Sequence, residues 1–399
     1  MKIKFVITLL LSACFFLTCT KPEDFAVEKY ACGSTLINSH PDSIRFHNFL
    51  KEKIAEGLPG ITMLIETPEG IWSGAAGVAD IPNNIKMQRC NVHRVGSITK
   101  TFTASVILML QEQGLLELND KISNYLNSEI INKVANADEA TIKNLLQHSS
   151  GIANYLDIQY TLVYLNDLTK HWTAMEELAL IYDEPAIFPV GEMVDYSNTN
   201  FLLLGLIAEK ITGKTGTQLY REMIFDPLGL EHTFFNQESE IPQELVRGYH
   251  DEFGDGQYRD ITEITYANNS MAGGISSNVE DLHIYLKACM ESGGLFEDST
   301  ISNMLAVSNL PFQNPATFEY GEEYKVKKVS GIGLSWFELD TQNGKAYGHD
   351  GGFDGRRARM WYFPNTQKSI IYLINASGEK LKPTLRELRR NDMVKLLFE

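Results

Sequence analysis

The stretch HRVGSITKTFTA, residues 93–104, decides how the rest of the chain is read. Beyond Lys100 the text continues as TFTASVILMLQEQG, with Phe102, Val106, Met109 and Leu110 at helical spacing. Positions i and i+3 of a helix lie on one face, one turn apart. Ser97 and Lys100 are therefore expected to point into the same small volume at the head of a helix. Gly96 allows a sharp turn into that helix and a close approach to its backbone. A serine hydroxyl becomes a useful nucleophile when a nearby base takes its proton. Lysine serves as that base when burial or a neighbouring positive charge leaves its amine neutral. The helix N-terminus adds positive potential where an oxyanion would develop.

Ser-x-x-Lys alone is a weak signal. It recurs at Ser377-Gly-Glu-Lys380, where it closes a strand pattern at a glycine turn and reads as surface. Composition sets the frame for weighing the first copy. The chain has 399 residues, 44% hydrophobic and 22% charged, in the range of a globular enzyme. Its net charge of −16 and the lack of a basic run argue against nucleic acid as a partner. No cysteine pair has metal-ligand spacing and His-Glu-x-x-His is absent, so neither a metal nor a cofactor is expected.

The N-terminus MKIKFVITLLLSACFFLTCTKPEDF has two lysines, an apolar run and then polar residues. That is the layout of a secretory signal, and the run is short for a membrane span. It resembles a bacterial lipoprotein signal, with Cys19 the expected lipidated residue because a soluble tether follows it. Cys14 is the alternative, and plain secretion the outcome if neither is lipidated. The expected division is a signal over 1–18, a tether over 19–40 and a single folded domain over 41–399. The expected location is the bacterial cell envelope, with the membrane contacted through a lipid anchor. Cys32, Cys90 and Cys289 remain, an odd and scattered set that does not read as a disulfide framework.

Strand patterns occur at both ends of the domain. ITMLIETPEG and IWSGAAGVAD form a hairpin pattern early on, and GIGLSWFEL, KAYGHD, RARMWYF and SIIYLIN follow late. Residues 115–245 read as mostly helical. The expected fold is α+β, an antiparallel sheet built from N- and C-terminal segments and flanked by helices, with a helical second lobe and a site in the cleft between them.

Two further motifs give the first its meaning. Tyr-x-Asn occurs at Tyr125, Tyr164, Tyr196 and Tyr266. At Tyr196-Ser-Asn198 it follows a Pro/Gly loop and opens an apolar helix. KAYGHDGGFDG carries His349-Asp350-Gly351-Gly352 at the end of a strand. Ser-x-x-Lys, Tyr-x-Asn and His-x-Gly, in that order, resemble the motifs of the serine β-lactamase and D,D-peptidase superfamily, in the style of class C enzymes, D-aminopeptidases and related esterases. LLQHSSGI, IFDPLGLEHT and AGGISSNVEDL also resemble segments of that family, and the resemblance runs from about residue 42 to 395.

The resemblance implies that Ser97 forms an acyl-enzyme while Lys100 and Tyr196 handle the proton. It further implies that Asn198 and the His349–Gly351 strand contact substrate, and that the N–H groups of Ser97 and Gly352 form an oxyanion hole. It implies a small-molecule or peptide substrate, peptidoglycan-derived among the candidates. The departure is His349-Asp350 where Lys-Thr is expected of a β-lactamase. A neutral histidine and a nearby carboxylate weaken recognition of an anionic substrate, so peptidase or esterase activity is expected before β-lactam hydrolysis. Arg356, Arg357 and Arg359 either restore a positive field or lie solvated at the surface, the latter being the expectation. A class C-like β-lactamase and an inactive binding or regulatory module are the competing readings. The lack of a Gly-x-Ser-x-Gly elbow at Ser97 argues against a Ser-His-Asp hydrolase using His349.

Overall fold

A computed structural model describes residue 32 and residues 39–158, 169–235, 242, 244–263, 270–315, 321 and 323–399. The expected signal peptide with Cys14 and Cys19, most of the tether, and Tyr164 and Tyr266 lie outside the described residues.

Three N-terminal strands, β1 (Gly60–Thr67), β2 (Gly70–Asp80) and β3 (Ile85–Lys86), join five C-terminal ones in a single sheet. The latter are β4 (Val326–Ile332), β5 (Phe337–Thr341), β6 (Gly344–Phe353), β7 (Arg356–Phe363) and β8 (Lys368–Ile374). Their order is β3-β2-β1-β8-β7-β6-β5-β4, and neighbours pair antiparallel. The two halves of the sequence meet at β1 and β8, where Ile61 lies opposite Ile374 and Ile65 opposite Ile370.

Successive strand residues face opposite sides, and β8 displays the result. Ile371 and Leu373 enter the core beneath the second lobe, whereas Ile370, Tyr372 and Ile374 enter a separate core on the reverse face. There helix α1 (Ser43–Ala55) supplies Phe46 and Leu50, and the Phe46 ring lies 5.3 Å from that of Trp72. The C-terminal helical segment, Lys382–Glu387 and Met393–Phe398 joined by a π turn, packs on the same side.

The second lobe centres on helix α2 (Thr99–Glu112), buried on nearly every side. Its polar residues are tolerated because each hydroxyl is bonded. Thr101 donates to the Ile98 carbonyl, Thr103 donates to that of Met271, and Ser105 meets the Tyr285 hydroxyl at 2.9 Å. Helix α3 (Asn198–Thr212) packs on α2, and helix α4 (Val279–Met290), capped by the Asn278 side chain, joins them against the sheet. Within 115–245 the described residues alternate helices of five or six residues, such as Ser128–Lys133, Ile142–Leu146 and Ala174–Ala179, with turns, and α3, at 15 residues, is the longest helix among them.

The reading of the cysteines is corrected. Cys32 and Cys90 form a disulfide across 58 residues, and Cys289 is free and buried. Sequence spacing could not reveal the pair, because α1 and the β1–β2 hairpin lie between them and bring residue 32 back beside residue 90. Among the described residues no helix is long and apolar enough to cross a membrane, and no cluster of three metal-ligating side chains occurs.

Candidate active site

Ser97 does not sit in α2 itself. It lies in a 3-10 turn, Gly96–Ile98, that runs directly into the helix. Gly96 has φ +54°, and a Cβ there would stand 2.7 Å from the Gly352 nitrogen. That position needs glycine both for its left-handed backbone and for the approach of β6. The turn keeps Ser97 and Lys100 on one side, with Lys100 Nζ 3.2 Å from Ser97 Oγ.

Lys100 is completely buried, and burial alone lowers its pKa well below the ordinary 10.5. Its other partners are both acceptors, Asn198 Oδ1 and the Ala272 carbonyl, each at 2.7 Å. A neutral amine has two N–H bonds and one lone pair. In that form the two acceptors take the two N–H bonds, which leaves the lone pair for the Ser97 hydroxyl. Desolvation thus favours the neutral amine, and the hydrogen bonds fix where it sits.

Tyr196 and Asn198 arrive at the N-terminus of α3. Lys100 Nζ lies 4.9 Å from the Tyr196 ring centre. Burial raises the phenol's pKa, with the Ser97 hydroxyl pulling it back, and the phenol oxygen makes no hydrogen bond of regular geometry. Asn198 is committed to the protein: Oδ1 accepts from Lys100, while Nδ2 and the backbone N–H both donate to Asn154 Oδ1. Its clearest structural role is therefore to orient the lysine. Tyr125, the other described Tyr-x-Asn tyrosine, hydrogen-bonds Asp120 elsewhere in the lobe.

His148, quoted in LLQHSSGI but given no role, belongs to this wall. Its backbone is left-handed (φ +53°), and its ring centre lies 4.4 Å from that of Tyr196. Its Nδ1 accepts from the Ser197 N–H and faces Asn200 Nδ2, both at 3.2 Å. Burial first, then Lys100 and His349, lower its pKa well below 6.5 and keep the ring neutral. A histidine beside a Ser-Ser-Gly turn was the available signal; its distance of 49 residues from Ser197 hid the contact.

The opposite wall is β6. His349 faces Tyr196, with ring centres 6.2 Å apart, and its pKa is pushed down to about 4 by burial and then by Lys100. Gly351 lies against the nucleophile turn, where a Cβ would meet the Val95 carbonyl oxygen at 1.9 Å. These contacts bring Ser97, Lys100, Tyr196, Asn198, His349, Gly351 and Gly352 together at one end of a cavity of about 600 Å³.

Two expectations about charge are corrected. Asp350 points away from His349, because neighbouring strand residues face opposite sides. Its carboxylate lies 3.4 Å from Arg359 and 3.2 Å from Arg389 and accepts from Trp361 Nε1. Burial pushes its pKa up, but Arg359 and Arg389 outweigh this and hold it below the ordinary value. Arg356 and Arg359 are 1% exposed and so are not solvated surface residues, and Arg356 donates to the Thr262 carbonyl. Arg357 is partly buried and donates to the Phe353 and Arg356 carbonyls. The second Ser-x-x-Lys is not a surface turn at its serine either. Ser377 is fully buried and holds the Gly355 N–H and His250 Nδ1.

The profile of the family described as Beta-lactamase matches residues 46–392, and the chain belongs to that family. Among solved structures it is similar to a D-stereospecific amidohydrolase from Streptomyces sp., with 25% identity and TM-score 0.73, covering 87% of this chain and 98% of that one. Among curated proteins it is 24% identical to penicillin-binding protein 4* of Bacillus subtilis, over 79% of this chain and 68% of that protein. It is 22% identical to an unguisins hydrolase of Aspergillus violaceofuscus, over 80% of this chain. The chain spans 59% of that hydrolase, less than two thirds of its length.

Proposed function

We propose that this chain is a serine hydrolase that acylates Ser97 from a peptide-like amide or ester and then passes the acyl group to water. The observation that carries this reading is the fully buried Lys100 amine, held by Asn198 Oδ1 and the Ala272 carbonyl with Ser97 Oγ at 3.2 Å. Ser97 Oγ attacks the substrate carbonyl while its proton moves to Lys100 Nζ. The oxyanion is placed beside the N–H groups of Ser97 and Gly352. Each such donor is worth roughly 3 kcal/mol in the transition state. Tyr196 carries the proton to the leaving amine or alcohol as the C–N or C–O bond breaks. Water then attacks the acyl-enzyme by the reverse proton route.

The substrate class we favour is a D-amino-acid amide or D-configured peptide. Similarity to the D-stereospecific amidohydrolase and to penicillin-binding protein 4* supports this choice. A neutral His349, in place of a fixed cation, disfavours substrates that need a charge partner at that strand. We also propose an envelope location, anchored through Cys19. The Cys32–Cys90 disulfide supports a compartment more oxidising than the cytosol.

The test is release of p-nitroaniline from D-alanyl p-nitroanilide, with intact mass of the protein after brief exposure to benzylpenicillin or an activated D-alanyl ester. Turnover and a Ser97 adduct are expected, and both should vanish in Ser97→Ala. An adduct that persists in Ser97→Ala would remove the proposed nucleophile. Absence of any adduct or turnover would favour the binding-module reading.

A further inference from the structure

The cavity that begins at Ser97 does not end at the catalytic wall. It continues past Gly352 and Phe353 to the reverse face of β6 and β7, beneath the C-terminal helical segment. Its far end has a different chemistry. Arg357, Arg359, Lys382, Arg386, Arg389 and Arg390 line it, against the carboxylates of Asp350 and Asp354. A local excess of cations in a chain of net charge −16 runs against the charge of the whole molecule. Charges gathered within one Debye length, about 8 Å at physiological salt, repel without much screening. Such a cluster is stabilised by an anion, and guanidinium groups suit carboxylate, sulfonate and phosphate oxygens in a forked geometry.

The floor of this end is built, not accidental. Cross-strand register places Asp350, Arg359 and Tyr372 in one row across β6, β7 and β8. Arg359 is 1% exposed, and its guanidinium carbon lies 5.2 Å from the Trp361 ring centre. Arg359 and Arg389 approach the same Asp350 carboxylate from two elements, one from the sheet and one from the helical segment. Beside this charged row, Leu339, Trp361, Tyr372 and Leu385 offer an apolar surface to the same space. Cations around an apolar floor call for a ligand with both characters.

We propose that this end of the cavity is a second binding site, for an amphiphilic anion: an acyl or aryl group carrying a carboxylate, sulfonate or phosphate head. The head group lies between Arg386 and Arg389, above the buried Arg359–Asp350 pair, and the apolar body lies against Leu385 with Trp361 beneath it. The site is independent of acyl transfer at Ser97, which opens on the other face of β6.

Decyl phosphate, kept below its micellar concentration, is the probe, and titration calorimetry on the full domain is the readout. Saturable binding is expected in the native protein and, undiminished, in Ser97→Ala. It should weaken at least tenfold in Arg386→Glu/Arg389→Glu. Arg386→Glu alone should weaken it severalfold, and this exposed side chain makes no ion pair among the described residues, so misfolding does not obscure the result. Decyltrimethylammonium should bind at least tenfold more weakly than decyl phosphate. Unchanged affinity in both arginine variants would overturn the proposal, as would absence of binding to native protein. Inorganic phosphate binding as tightly as decyl phosphate would remove the apolar half of the claim. Loss of decyl phosphate binding on acylation of Ser97 would place the anion in the catalytic end instead.

Discussion

Ser97–Lys100 and Ser377–Lys380 share the same four-residue pattern, yet the two copies fold in opposite senses. In the first, a 3-10 turn passes into α2, and the buried Lys100 amine meets Ser97 at the edge of the cavity. In the second, Ser377 is the middle residue of a short strand, Ala376–Gly378, paired with Tyr249–Asp251, and Gly378 at φ +134° redirects the chain. Ser377 is buried as a structural acceptor and Lys380 is left exposed. The lysine's surroundings separate them. Desolvation makes Lys100 a candidate base, whereas Lys380 stands exposed with no partner role in a buried site.

The largest effect should fall on Ser97. Ser97→Ala is expected to lower acylation by roughly 10⁴-fold or more, measured by adduct formation, whereas Ser377→Ala leaves the acylation rate intact. Equal losses in the two variants would break the distinction. Next comes Lys100→Met, with an expected loss of ~10²–10⁴-fold. The pH profile carries the same point: the basic limb of native acylation should reach its plateau well below pH 10.5, because only the neutral amine accepts the proton. A limb centred near the ordinary lysine value would mean that Lys100 is not the base.

The wall facing Lys100 should also make the protein sensitive to acid. His349 takes a proton near pH 4 when folded and near 6.5 when unfolded, so the unfolded chain binds more protons between those values. Stability therefore falls as pH drops from 6.5 towards 4, by at most about 3 kcal/mol from this residue. His349→Asn should flatten that slope in urea titrations at pH 7 and 4.5; an unchanged slope would exclude burial of a neutral ring there. The smallest effects belong to the second copy. Ser377→Ala should destabilise by ~1–3 kcal/mol by stranding the Gly355 N–H. Lys380→Met should stay within ~0.5 kcal/mol by thermal melting.

Much of this site was legible because local periodicity writes it down. The i, i+3 relation of Ser97 to Lys100 and the strand-to-glycine ending at His349 are short-range patterns, and the sheet's assembly from both ends of the chain followed from where strand text occurs. What escaped was set by partners distant in sequence. Asn154 engages Asn198, His148 lies against Tyr196, and the Ala272 carbonyl fixes the Lys100 amine, each across at least 44 residues. Arg359 was misjudged because arginine is mostly exposed, and only the register with Asp350 shows what offsets its burial. Ser377 was misjudged because a glycine after a strand signals a turn without saying which side of it is covered.

The Cys32–Cys90 bond also determines how the domain bears a pull. Tension applied from residues before Cys32 crosses the sulfur–sulfur link to Cys90, leaving residues 33–89 in a closed loop outside the line of force. Helix α1 and the β1–β2 hairpin lie within that loop. A pull on the N-terminal end thus loads the segment seven residues before Ser97, while the three N-terminal strands of the sheet are mechanically shielded.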